Sequence, residues 1–387
     1  MKVGILAPEN SPSWGGVGAY VYNLVKNLPT NFDKHIITIN RNVSDSYNTL
    51  LKDENCYIHS ILDVKKNDSF FYNFRFQLAV LKKLRGLHKK YNFDIIHSHS
   101  GHLPHLFSQF QGIAPLVVTV HSTSVGMNLC IQHSKPEKSS AEIYMDFFSR
   151  YIKLCEKIGF KQADKLLPVS KFTLEEIINL YNIDITNKSV VIQNATDAEM
   201  FKPEKVTHSN ETVITFIGRF YAIKGFNTYL EALVNINKNG YKIKPYIIGR
   251  GDKESMNNYL KSNFSQYLLR DPVPYNEMPK VYDNSDIIIV PSFYENCPAV
   301  VLEAMSSGKI VIASNVGGIP DIIQNGINGF LFEKGNVVDL EEKIISILEK
   351  TYDTDKIRNN ARNTIIKDYQ WNERGKEISQ IYRNVIQ

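Results

Sequence analysis

Short β-branched runs alternate with helical patterns along almost the whole chain, and this alternation is the strongest constraint on its fold. Val3–Ala7, Ile36–Ile39, Ile95–His97, Leu116–Val120 and Leu166–Val169 read as strands, with helical stretches such as Gly18–Leu28 and Phe74–Lys90 between them. The pattern resumes at Val213–Gly218, Ile243–Gly249, Ile287–Val290 and Ile310–Ala313. Apolar strands separated by helices belong to parallel sheets covered on both faces, so the class is α/β. The 387 residues exceed what one hydrophobic core usually organises, which suggests two domains. The break falls in IQNATDAEMFKPEK, residues 192–205, where Asn194, Asp197 and Pro203 are turn formers. The expected organisation is an N-terminal Rossmann-like domain over 1–200 and a C-terminal one over 201–367. A final helix over 368–387, from Trp371 to Ile386, completes it. Domains of this kind bind ligands at the carboxyl ends of their strands.

Composition excludes several classes. The net charge of +5 is too small for a nucleic-acid binder, and its whole excess falls in the first 203 residues. The four cysteines, Cys56, Cys130, Cys155 and Cys297, form no CxxC pair, which argues against a zinc site or a disulfide framework. The sequence opens on a strand-like run without a signal-peptide core, and no apolar run approaches the roughly 18–20 residues of a membrane span. A cytoplasmic location is the expectation, with any membrane contact peripheral.

Three segments carry chemistry. Trp14-Gly15-Gly16-Val17-Gly18 follows the first strand and opens a helix, where free backbone N–H groups suit a phosphate. An ordinary tight turn reads the same way, and the spacing is not the dinucleotide GxGxxG. Gly218-Arg219, then Lys224-Gly225, place a guanidinium and an ammonium beside a helix start. Such a pair suits a diphosphate, although two solvated cations are the plain alternative. The segment Ser292 to Met305 holds Glu295 in a loop, Pro298 near the first helical position, and Glu303 on an otherwise apolar helix. A carboxylate there needs a partner: vicinal ribose hydroxyls, or a buried Arg or Lys.

These motifs resemble the retaining GT-B glycosyltransferases of family 4 (GT4), the group 1 type. The resemblance rests on Glu295-x7-Glu303, Gly15-Gly16-x-Gly18, Gly218-Arg219 with Lys224-Gly225, and Gly317-Gly318-Ile319-Pro320, and it spans nearly the full length. It implies two Rossmann-like domains facing across a cleft, with the last helix crossing back to the N-terminal domain. It implies that Glu303 holds the donor ribose. Glu295, with the backbone of Asn296, Cys297, Pro298 and Ala299, would hold the transferred sugar. Arg219 and Lys224 would bind the diphosphate beside Gly218, with Gly15 and Gly16 approaching from the other domain. Gly249 and Gly251 would line the nucleotide site, and His121 would lie beside the donor sugar. The implied partners are a nucleotide-diphosphate sugar donor and a sugar, lipid-linked or small-molecule acceptor. No cofactor and no metal are expected. Ile223, Asn296-Cys297-Pro298, Asp271-Pro272-Val273-Pro274 and Ala195 depart from the usual pattern, which leaves base and sugar open.

Other readings stay beside these. An epimerase or disaccharide phosphorylase of the same fold, a non-catalytic sugar-nucleotide binder and a Rossmann oxidoreductase are the rivals. His97, His99, His102 and His105 could gather a metal, but no carboxylate or cysteine joins them nearby. Asp353-Thr354-Asp355 matches a metal-binding DxD string yet reads as a helix cap. Residues 70–90 carry Arg75, Lys82, Lys83, Arg85, Lys89 and Lys90 without an acid, with Phe70, Phe71, Phe74, Leu78 and Leu81 at helical spacing. That pattern fits either peripheral membrane contact or an apolar stripe packed on the sheet.

Overall fold

The computed structural model describes residues 1–9, 15–40, 55–65, 72–99, 110, 112–133, 149–204 and 211–387. The chain divides into two compact units. The first comprises Met1–Gln132, Glu137–Asn194 and Trp371–Gln387, and the second is built on Ala195–Gln370.

The first unit holds β1 (Lys2–Leu6), α1 (Gly16–Asn27), β2 (Asp33–Asn40), β3 (Cys56–Asp63), α2 (Tyr72–Tyr91), β4 (Ile95–Ser98) and β5 (Leu116–Val120). There follow α3 (Ser124–His133), α4 (Ser149–Gln162), β6 (Lys165–Pro168) and α5 (Lys171–Tyr181). Its sheet is parallel in the order β3-β2-β1-β4-β5-β6. The second unit holds β7 (Thr212–Ile217), α6 (Phe226–Lys238), β8 (Ile243–Ile248), α7 (Lys253–Asn263), β9 (Leu268–Arg270), α8 (Met278–Asp283) and β10 (Ile287–Val290). It continues with α9 (Ala299–Ser306), β11 (Ile310–Ser314), β12 (Phe330–Phe332), α10 (Val337–Leu348) and α11 (Thr354–Asp368). Its sheet order, β12-β11-β10-β7-β8-β9, repeats the topology of the first, and all its pairings are parallel. In each sheet the winding reverses between the first and fourth strands, β1/β4 and β7/β10, which is where such folds open a crevice for ligands.

Burial explains the strand choices. β5 and β10 are buried at every position, as central strands covered on both faces must be. The three strands absent from the sequence reading, β3, β9 and β12, lie at sheet edges. β9 is exposed at both ends, and β3 is buried only at Ile61, so neither has a continuous buried run.

The last helix, α12 (Trp371–Ile386), belongs to the first unit and packs on α1. The approach is close: a Cβ at Gly375 would come within 2.1 Å of the Asn27 carbonyl oxygen. Tyr20 of α1 meets Trp371 edge-on, with ring centroids 4.9 Å apart.

On α2 the residues that pack on the sheet are Tyr72, Phe76, Val80 and Leu84. Of the apolar stripe read from the sequence, Phe74 and Leu81 lie on another side of the helix, and Leu78 is half-buried. Phe74 and Leu81 are 36% and 40% exposed, and Phe70 and Phe71 fall outside the described residues. No helix among the described residues is long and apolar enough to cross a membrane.

Candidate functional site

In the second unit the candidate residues converge on the β7/β10 switch point. β10 ends at Val290, and the loop beyond it folds back on the turn after β7, where Phe293 N–H donates to the Ile223 carbonyl at 2.8 Å. Glycine is required at 225: its φ is +65°, and a Cβ would come within 1.7 Å of the Pro291 carbonyl oxygen. This close approach brings Lys224 Nζ to 2.5 Å from Glu295 Oε1, which also accepts from Ser292 Oγ at 2.9 Å. Two residues 71 positions apart, read from the sequence as separate motifs, thus form one ion pair. Arg219 is exposed at the end of β7, with its guanidinium 6.0 Å from the Tyr221 ring centroid, and forms no ion pair among the described residues.

Pro298 is the N-cap of α9, one residue before the helix with an extended ψ of 123°, near the first helical position as expected. Asn296 and Cys297 are buried in front of it, and Ala299 begins the helix. Glu303 follows in the second turn at 5% exposure. Its partner is neither Arg nor Lys but Tyr282, whose hydroxyl donates to Oε2 at 2.7 Å. Burial pushes the Glu303 carboxyl up to about 7, and the Tyr282 hydrogen bond acts against that. Tyr282 was invisible to sequence reasoning; a polar tip in a short helix gave no sign of its aim.

Gly249 and Gly251 have a packing reason to be glycine. A Cβ at Gly249 would meet the Gly218 carbonyl oxygen at 1.6 Å, and one at Gly251 would meet the Phe220 ring at 2.1 Å. Both therefore hold the ends of β7 and β8 together, beside Gly218. The Asp353 side chain caps α11 by accepting from Lys356 N–H at 3.0 Å, and Asp355 pairs with Arg358.

In the first unit the candidates cluster around β1, β4 and β5. Gly15 is the N-cap of α1 with φ of 131°, and a Cβ on Gly15 or Gly16 would meet nothing within 4 Å. Among the described residues nothing fills the space at that helix start, and Trp14 lies outside them. His121 follows β5 and is half-buried. Its Nε2 lies 3.4 Å from His99 Nδ1, and the Tyr20 ring stands edge-on to it at 4.7 Å. His97, on β4, is fully buried between Thr119 and Tyr382. Burial holds the His97 ring down at about 3 and His99 well below its ordinary value, so both are neutral. His102 and His105 lie outside the described residues, and among those described no group of three or more ligands is placed for a metal.

Two buried glutamates support the turn after His121. Glu156 Oε1 accepts from Ser124 N–H and Oγ at 3.2 and 2.7 Å, and Oε2 accepts from Tyr181. Glu176 accepts from Thr123 Oγ1 at 2.6 Å. Burial pushes Glu156 up to about 7, against the pull of these hydrogen bonds. The sequence did hold a signal for it, since Glu156 shares the buried stripe of α4 with Ile152, Cys155 and Phe160.

Comparison with known proteins bears on the family and the fold. A model of "Glycosyltransferase Family 4" matches residues 14–200, and one of "Glycosyl transferases group 1" matches 197–364. The uncharacterized glycosyltransferase MJ1178 of Methanocaldococcus jannaschii is 28% identical, over 87% of this chain and 86% of its own. A UDP-Gal:α-D-GlcNAc-diphosphoundecaprenol α-1,3-galactosyltransferase of Escherichia coli is 28% identical over 79% of both chains. Among solved structures, sucrose-phosphate synthase of Thermosynechococcus elongatus superposes with a TM-score of 0.81 at 18% identity, covering 99% of this chain and 98% of its own.

Proposed function

Because the chain belongs to glycosyltransferase family 4 and has the GT-B fold, it is a nucleotide-sugar-dependent glycosyltransferase, and we propose that it moves a hexose or N-acetylhexosamine from a UDP-sugar with retention at the anomeric carbon. The acceptor is a hydroxyl of a glycan or of a lipid-linked sugar in envelope or polysaccharide synthesis. The UDP donor and the lipid-linked acceptor are suggested by the name of the E. coli relative.

The Lys224–Glu295 pair at the β7/β10 switch point carries this reading. Both contacts to Glu295 fall on Oε1, so Oε2 is the oxygen left to accept a sugar hydroxyl. Glu303 engages Tyr282 through Oε2 and has Oε1 for the ribose. Arg219 and Lys224 stabilise the departing diphosphate, where a planar fork and a point charge divide its oxygens. The acceptor oxygen bonds to the anomeric carbon on the face from which the diphosphate oxygen leaves. The acceptor's proton passes to that leaving oxygen. His121 lies beside the sugar in this reading, and no metal takes part. The enzyme works at the cytoplasmic side of the membrane, which the basic face of α2 touches.

Donor turnover in Glu303→Ala and Arg219→Ala is expected to fall by about 100-fold or more, the scale of a lost charged contact at a reacting phosphate. Wild-type rates in both variants would remove the assignment. Proton NMR of the first-formed product is expected to show the donor's own anomeric configuration.

A further inference from the structure

The first unit carries a line of buried rings that ends on His121, and the mechanism above uses only its last member. His97 on β4 touches Tyr382 of α12 through Nδ1 at 2.5 Å and Thr119 of β5 through Nε2 at 2.7 Å. Its ring centroid lies 4.0 Å from that of His99. His99 is 2% exposed, and its backbone N–H is tied to the Leu6 carbonyl of β1 at 2.9 Å. From there Nδ1 reaches His121 Nε2. The other ring nitrogen of His99, Nε2, is buried without a hydrogen-bond partner among the described residues.

That orphan decides where the proton sits. A neutral imidazole carries one N–H, on Nδ1 or Nε2, and the partner of one nitrogen fixes the state of the other. A proton on Nε2 of His99 would leave a buried donor unmade, the arrangement folded proteins avoid most strictly. A proton on Nδ1 meets His121 Nε2 and leaves only a lone pair unfilled. His121 Nε2 is then an acceptor, and a neutral His121 must carry its own proton on Nδ1.

We propose that His99 is a positioning residue that donates Nδ1–H to His121 Nε2, locking His121 as the Nδ1–H tautomer. His121 is thereby a hydrogen-bond donor at Nδ1, with Nε2 already occupied and withdrawn from service as a base. Tyr20 supports the same ring from α1, and it rests in turn on Trp371 at the start of α12. The final helix thus reaches His121 by two routes, through Tyr382 and His97, and through Trp371 and Tyr20. The consequence for catalysis rests on the placement of His121 beside the donor sugar; the tautomer itself does not.

The test reads the two separately. The full chain labelled with ring-15N histidine gives long-range 1H–15N correlations that report the tautomer of each ring, with His121 assigned from its loss in His121→Asn. The expected result is Nδ1–H for His121 in the wild type and in His99→Asn, whose carboxamide N–H takes the place of Nδ1–H. His99→Gln, whose carboxamide falls near the Nε2 position, and His99→Phe are expected to lose it. Donor turnover should follow: kcat down about tenfold in His99→Phe at unchanged donor KM, the rate equivalent of one hydrogen bond, and largely restored in His99→Asn. An Nε2–H tautomer of His121 in the wild type overturns the proposal, as does an unchanged Nδ1–H tautomer in a folded His99→Phe. If His99→Phe does not fold, the wild-type tautomer alone decides. A wild type inert toward every nucleotide sugar would remove the functional reading and leave the tautomer standing.

Discussion

Glu303 and Glu156 are acidic residues on helices whose other buried positions are mostly apolar, and each is satisfied by a tyrosine hydroxyl, Tyr282 for one and Tyr181 for the other. The identity of Glu303 as a candidate was legible because an acid in the run Val300 to Met305 is conspicuous. Its partner was not, because hydrogen-bond reach between α8 and α9 depends on their packing. Glu156 shows the energetic side of such burial. Unfolded, it ionises near 4.5; folded, it holds its proton to about 7. Between these values the folded state binds more protons than the unfolded one, so its contribution to stability declines as pH rises. Urea denaturation of the wild type and Glu156→Gln at pH 5 and pH 8 checks this. The wild type is expected to lose stability relative to the variant by up to roughly 3 kcal/mol between the two conditions. Parallel behaviour of the two proteins would contradict it.

At the scale of elements, two glycines in helices separate propensity from packing. Gly86 in α2 is exposed and faces open space, so Gly86→Ala is expected to stabilise by about 0.5–1 kcal/mol. Gly375 in α12 abuts the Asn27 carbonyl, so Gly375→Ala is expected to destabilise by about 1–3 kcal/mol despite its better helix propensity. Thermal unfolding of both variants tests the opposite signs. Periodicity located α2 and α12 well but left open which side of α2 faces the sheet. The reason is that α2 has apolar residues on two sides, Phe76, Val80 and Leu84 inward, Phe74 and Leu81 outward. An outward apolar pair among Arg75, Lys82 and Arg85 favours the membrane-contact reading over the packed stripe. Co-sedimentation with vesicles rich in anionic phospholipid is expected to capture the wild type and to lose most of the Phe74→Ser/Leu81→Ser variant. Equal capture of both would place the contact elsewhere.

For the whole molecule, the duplicated strand order puts one switch point in each unit, and most of the candidate residues stand at the two. Binding of the proposed donor is therefore expected to raise the melting temperature with a clear preference among nucleotides. A thermal-shift comparison of UDP-, GDP- and ADP-sugars at equal concentration should show the largest rise for a UDP-sugar. A larger rise with another base would correct the donor. The alternation of strands and helices, the two series and the chemistry-bearing segments were all determined by local sequence, because periodicity and turn chemistry act over a few residues. The resemblance already implied that the last helix returns to the first domain, as Trp371–Gln387 does, but tertiary structure alone decided that Lys224 grips Glu295 and that His99 stands against His121. Those contacts join residues from 22 to 285 positions apart in the buried histidine line and its support by α12, and only the folding of the sheet brings such partners within hydrogen-bond distance.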